Sequence, residues 1–318
     1  MAKIILGIGT SHSPQLSVRA ADWQVLREKD ETDPRLDYPG LVKRAKKGVE
    51  AELTAEKFRQ RDAACQEAIK VLGDTLRKAN PDVVVVFGDD QHEQFYDDNM
   101  PTFAIYHGKS LPVVKHTGRN LSGWKLAEEK GWAETAPEYE TGYALAEHLV
   151  PALINEEFDI ARCNKLRPEI GVGHAFSFLY RRVLPGGKVP MVPVMVNTYY
   201  PPNQPTPKRC YAFGQAVRRA IDSWDSDQTV AVMASGGLSH VVIDEEIDQM
   251  VIHGLRKRDP ETLWRLPRER LWGGTSEILN WVALAGVVES MELRSLEYVT
   301  TYRSPAATGC GMGFAYWT

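Results

Sequence analysis

The sequence predicts an α/β fold: a single domain over 1–318 with a central mixed sheet flanked by helices and an active site at the strand ends. Three observations predict it. Short β-branched runs such as DVVVVFGDD (82–90) alternate along the chain with amphipathic stretches. Several of the apolar runs end in Gly, Ser, Asp or His, and open α/β sheets carry their chemistry at such ends. No 20–50-residue repeat, low-complexity linker or sharp change of composition divides the chain.

Taken in order, Lys3–Ile8 is a short Ile-rich run closed by Gly7 and Gly9, which predicts a first strand. Residues 15–50 are highly charged without a clean period and predict surface helices and loops. In 53–79, Phe58, Cys65, Ile69, Leu72 and Leu76 recur at helical spacing, and Asn80-Pro81 stops the helix. The run at 82–90 has no polar alternation, so its strand is buried on both faces. PTFAIY (101–106) is another strand, and 107–140 an excursion over the surface. Glu140–Leu153 reads as a helix. PEIGVG (168–173) leads through a turn into the helix of HAFSFLYRRV. MVPVMVNTYY (191–200) is a strand, and Pro207 takes the tolerated first position of the helix that follows. TVAVMASGGLSH (229–240) is a strand with a Gly-Gly turn. Helices are expected at 245–255 and 275–285, then two last strands around GCGMG (309–313).

Composition removes several classes of function. The 318 residues carry 38 basic and 42 acidic side chains, a net charge of −4, without a block of like charge. Nothing there suits nucleic acid or an anionic membrane surface. No apolar run approaches the roughly 18–20 residues of a membrane span. The apolar stretch in MAKIILGIGTSHSP is too short for a secretory signal. The four cysteines are scattered without a C-x-x-C pair, so neither a zinc-thiolate site nor a disulfide framework is expected. That usage fits a reducing cytoplasm.

Histidine is the remaining candidate metal ligand. His12, His92, His174 and His240 each follow a Gly-containing strand end or turn. Any one alone would be an ordinary core or surface histidine; four in equivalent places point to a site. Two histidines and one carboxylate on one face of a divalent ion leave positions open and suit non-haem Fe(II) with oxygen. The carboxylate could be Asp89, Asp90, Glu93 or Glu277. Glu277 also opens an apolar helix, where a carboxylate favours the helix dipole without any metal. There is no G-x-x-x-x-G-K-[ST] loop, H-E-x-x-H or G-x-S-x-G, and GIGTSH lacks dinucleotide-binding spacing.

At these residues the chain resembles the class III (LigB-type) extradiol ring-cleavage dioxygenases, the family of the catalytic β subunit of protocatechuate 4,5-dioxygenase. The resemblance runs through GIGTSHSP, PDVVVVFGDDQHEQF, PTFAI, VNTYYPPNQPTPKRCYAFGQAVRRAI, GGLSHVVIDEEID and GTSEILNWVALAG. It implies His12 and Glu277 as iron ligands and His240 as the catalytic acid/base. The second ligand is a histidine after the second buried strand. A gapless match puts Gln91 there and His92 one residue later; a local bulge would bring His92 into place, and His92 is the expected ligand. The family's other active-site histidine lies in a D-H-G segment, and His174, displaced by several residues, takes its catalytic role. The stretch at about 15–80 is longer than in the β subunit, so a helical insertion over the mouth of the site is expected, in the place of a separate small subunit.

The resemblance therefore implies extradiol cleavage of a small aromatic diol by O2 on Fe(II), with Arg167, Lys208 and Arg209 available for a substrate carboxylate. A homodimer is the expected assembly. Two alternatives stand beside it: a non-oxygenase binding or signalling protein of the Memo-like group, and aminophenol or hydroxypyridone cleavage on the same site.

Overall fold

The structure is a computed structural model and describes residues 1–114, 136–184 and 188–318. Its strands are β1 (Lys3–Thr10), β2 (Val83–Asp89), β3 (Phe103–Tyr106), β4 (Ser110–Val113), β5 (Ala136–Glu140), β6 (Ala161–Cys163), β7 (Met191–Val196), β8 (Thr229–Ser235), β9 (His240–Val242), β10 (Leu293–Thr300) and β11 (Thr308–Trp317). The main sheet has the order β10-β11-β1-β8-β2-β7-β3-β6, with β9 paired to β11. The four central strands β1, β8, β2 and β7 are mutually parallel. Antiparallel pairs join β11 to β1 and β3 to β7, so the sheet is mixed, as expected.

The helices are α1 (Trp23–Thr32), α2 (Tyr38–Arg44), α3 (Ala55–Ala79), α4 (Tyr143–Asn155), α5 (His174–Arg182), α6 (Pro207–Ser223), α7 (Glu245–Lys257), α8 (Pro260–Trp264) and α9 (Ile278–Val288). Alternation along β2 explains the layering. Val83, Val85 and Phe87 pack into a core with α4, α6, α7 and α9. Val84 and Val86 point the other way, into a core with α3 and α5. Both faces are covered, so β2 is buried throughout and can be continuously apolar.

α3 shows how its ends and face were written. The Thr54 side chain accepts from Lys57 N at the start, and Asn80 takes the left-handed conformation at the end. Cys65, Ile69, Leu72 and Leu76 lie on its buried face against Leu6 and Ile8 of β1. Burying each large side chain contributes about 1.5–3 kcal/mol as an upper bound. α3 is thus part of the sheet packing. The segment before it docks elsewhere: Val49 packs with Ile243, Tyr302 and Ala307, and Arg303 holds the buried Asp30 of α1 through two hydrogen bonds of 2.6 and 2.9 Å.

Several boundaries differ from expectation for local reasons. The strand at 191 stops at Val196, because the Asn197 side chain folds the chain into a turn by accepting from Tyr200 N and donating to Tyr200 O. The strand at 229 breaks at Ser235, and the chain pairs again only at β9. Glu277 closes a short 3₁₀ turn, Gly273–Glu277, ahead of α9. The expected surface excursion after Tyr106 includes β4, paired with β5, whose Leu111 and Val113 are buried. Residues 115–135 of that stretch lie outside the described residues. Among the described residues, no helix is long and apolar enough to cross a membrane.

Candidate metal and active site

Because β1, β2, β7 and β8 run parallel, their C-terminal ends share one edge of the sheet. β1 delivers His12, β2 delivers Asp89 and Gln91, β7 delivers Tyr199, and the Gly-Gly turn after β8 delivers His240. His174, the first residue of α5, and Glu277 come from outside the strands. Ligand atoms of His12, Asp89, His174 and Glu277 all lie within 4.8 Å of one another, and all four residues are buried.

Hydrogen bonds fix which ring nitrogens face inward. Ser235 Oγ donates to Ala175 O at 2.6 Å, so toward His12 it accepts, and His12 Nδ1–H donates to it at 3.0 Å. That leaves His12 Nε2 facing Glu277 Oε2 at 3.4 Å. His174 donates both its backbone N–H and Nδ1–H to the Glu93 carboxylate, each at 2.9 Å. Its Nε2 faces Asp89 Oδ2 at 3.8 Å and the Gln91 amide nitrogen at 3.3 Å. Gly173 makes this approach possible: a Cβ there would lie 2.4 Å from Glu93 Oε2.

His240 is placed in the same way. Its Nδ1–H donates to Leu238 O at 2.9 Å, and its Nε2 faces Glu277 Oε1 at 3.1 Å. Thr275 Oγ1 accepts from His240 N and donates to His240 O, which clamps that residue's backbone. The ring lies against bare backbone: a Cβ on Gly274 would meet His240 Nε2 at 2.4 Å, and one on Gly237 would meet Nδ1 at 2.7 Å.

Two carboxylates and several imidazole lone pairs therefore converge in a buried place. Such a set must be neutralised by protons or by a cation. Without a metal the protons do it. Burial opposes charge on Glu277, but His240 and His12 hold its carboxyl well below the usual range. Burial also opposes charge on His240, but Glu277 raises it well above an ordinary imidazole. Against burial, Glu93, with help from Asp89 and Glu277, raises His174 to about 9. Asp89 goes the other way, raised by burial and by Glu277. Two imidazole nitrogens and two carboxylates are also a donor set that suits a divalent first-row metal. The residues present fit such an ion.

The structure brings His12, His174, His240 and Glu277 together. It does not bring His92 there. The chain turns after β2, His92 sits at φ 56°, and its Nε2 faces Asp97 Oδ1 at 3.0 Å. Its ring stacks on Tyr200 with centroids 3.8 Å apart, and its side chain is 32% exposed. Gln91 points inward instead, donating to Asp89 Oδ2 at 3.1 Å and Glu277 Oε1 at 3.4 Å. Asp90 caps the turn through the backbone N–H groups of 93–95. Lys208 lies over Trp264 and Arg209 over Phe158, whereas Arg167 lies over Tyr96 beside His92.

Sequence reasoning missed Tyr199, whose hydroxyl donates to Glu277 Oε1 at 2.7 Å. It named Asp89 and Glu93 only as alternatives to Glu277. A carboxylate at the end of a buried strand was the available signal for Asp89; no local signal marks Tyr199.

The family described as "Catalytic LigB subunit of aromatic ring-opening dioxygenase" matches residues 51–313. The chain is 31% identical over 198 residues to a gallate dioxygenase of Pseudomonas putida, covering 58% of this chain and 56% of the relative. It is 29% identical over 161 residues to a 2,3-dihydroxyphenylpropionate/2,3-dihydroxicinnamic acid 1,2-dioxygenase of Rhodococcus globerulus, covering 51% and 44%. A relative of the same name from Cupriavidus necator is 27% identical over 203 residues, covering 61% and 57%. The chain spans about half the length of these curated relatives. With most of its length matched by one family, the chain belongs to the LigB family of aromatic ring-opening dioxygenase catalytic subunits.

Proposed function

We propose that this chain is an extradiol dioxygenase, which opens a catechol-like aromatic ring beside its diol with O2, using Fe(II) as cofactor. One observation carries the reading: in a LigB chain, the donors of His12, Asp89, His174 and Glu277 converge within 4.8 Å at the sheet edge. The relatives support the substrate class, since a 2,3-dihydroxyphenyl group carries adjacent hydroxyls. Bound Fe(II) supplies one centre at which the diol and oxygen meet.

His12 and Glu277 are the first two residues proposed to hold it. Ser235 locks the His12 tautomer, and Gly237 N and Tyr199 Oη lock the two Glu277 oxygens. His240 moves the proton. Its Nδ1 is committed to Leu238 O, so Nε2 takes the proton of a substrate hydroxyl and returns one as the ring opens.

Oxygen uptake tests the proposal. The chain reconstituted anaerobically with Fe(II) is expected to consume oxygen and form a yellow ring-fission product with catechols. No uptake across catechols, aminophenols and hydroxypyridones would sink it; uptake confined to aminophenols would change the substrate.

A further inference from the structure

We infer that His174, and not His92, completes the metal's nitrogen ligands beside His12, and that Asp89 joins Glu277 as the second carboxylate. This rests on the metal-dependent reading above and assigns its ligands. Three independent observations lead to it.

The first is the fate of the residues after β2. Gln91 occupies the inward position there, while His92 is turned out at φ 56° and held between Tyr96 and Tyr200. An imidazole stacked at 3.8 Å on one ring and bonded to Asp97 cannot reach the buried donors without leaving both partners. The strand end thus contributes an amide where an imidazole was expected.

The second is the compensating approach of His174. Its ring stands edge-on to His12, centroids 4.8 Å apart. Its Nε2 belongs to the same converging group as His12, Asp89 and Glu277. A second imidazole therefore reaches the site from a helix start rather than from a strand end.

The third is the support behind that ring. A metal-bound histidine usually donates its other N–H to a carboxylate or carbonyl, which fixes ring and tautomer. Glu93 does this for His174 with one oxygen on Nδ1 and the other on the backbone N–H. Ser235 does it for His12. The two rings present matched Nε2 atoms. Gln91 then becomes the hydrogen-bonding neighbour of the two carboxylates, its amide donating to Asp89 and Glu277. As a ligand, His174 gives up the proton-carrying role, which leaves His240 to move protons.

Metal binding tests this without turnover. The full-length chain is titrated anaerobically with Fe(II), and separately with Cu(II) for paramagnetic resonance, where imidazole nitrogens are counted. The wild type is expected to show nitrogen coupling from two imidazoles. His174→Ala should show one, and should weaken Fe(II) binding more than the roughly 10–100-fold that loss of an outer-shell partner costs. His92→Ala should keep both nitrogens and the wild-type affinity. Gln91→His in the His174→Ala background should regain the second nitrogen, which also guards against a His174 variant that is merely misfolded. Loss of a nitrogen in His92→Ala, or its retention in a folded His174→Ala, overturns the assignment. A wild type that takes up neither metal overturns both the assignment and the metal-dependent reading. Normal metal binding without oxygen uptake sinks the dioxygenase reading alone.

Discussion

Tyr199 Oη and His240 Nε2 converge on one oxygen, Glu277 Oε1, at 2.7 and 3.1 Å. The carboxylate therefore has one oxygen shared between a phenol and an imidazole, and the other between Gly237 N and the His12 ring. With the Gln91 amide also donating to Oε1 at 3.4 Å, its position is set by five partners, which is what a pre-organised ligand requires.

Tyr199→Phe removes one of these without removing the ring. A hydrogen bond to a charged group contributes about 1.5–3 kcal/mol. Fe(II) affinity is expected to fall roughly 10–100-fold. Unaltered metal affinity in a titration would show that the phenol does not hold Glu277.

His240→Ala separates binding from chemistry. His240 lies outside the four converging donors, so Fe(II) should still bind. Oxygen uptake with a catechol should fall by roughly 10²–10⁴ for loss of a proton carrier. Equal loss of metal would instead place His240 among the ligands.

Gly274→Ala tests how tightly that ring is seated. The added Cβ would lie 2.1 Å from His240 Cδ2. The ring must move, since Gly274 is itself buried in the turn before Glu277. A destabilisation of about 1–3 kcal/mol is expected from overpacking, with oxygen uptake lowered beyond what the lost stability explains. Chemical denaturation and an oxygen electrode read the two effects separately.

Arg303→Leu would leave the carboxylate of Asp30 buried without its bidentate partner. Lys29 Nζ, 3.7 Å away, compensates part of the charge. Breaking such a pair costs about 3 kcal/mol, measurable by urea unfolding. Limited proteolysis should then cut first within α1 and α2, which this pair ties to the loop before β11.

Acid stability should depend on Asp33. Hydrogen bonds from Arg35, against the cost of burial and with help from Lys29, hold its carboxyl well below the usual range. A depressed carboxylate adds stability above its unfolded value near pH 4, and loses it as the pH falls further. Arg35 is largely exposed, so the effect is at most about 1 kcal/mol. Asp33→Asn should lower stability at pH 7 by that amount and flatten the loss below pH 4. Parallel acid curves for both proteins would exclude the pair as the cause.

The sequence by itself determined the layers of this protein and most of the edge where its site lies. Periodicity is local, so the buried run of β2 and the amphipathic α3 were legible. Polar residues at strand ends are local too, which marked His12 and His240, while Glu277 was marked by the family resemblance of its helix start. Tertiary structure alone decided which neighbours turn inward. One residue of register and one left-handed φ at His92 exchange it for Gln91. Docking of α5 on Glu93 brings His174 to the place, and the parallel pairing of β7 with β2 brings Tyr199 beside Asp89 and Glu277. The last two are contacts between residues 78 or more positions apart, and no pattern along a single segment encodes them, because side-chain direction at a strand end depends on the backbone turn that follows and on the elements packed against it.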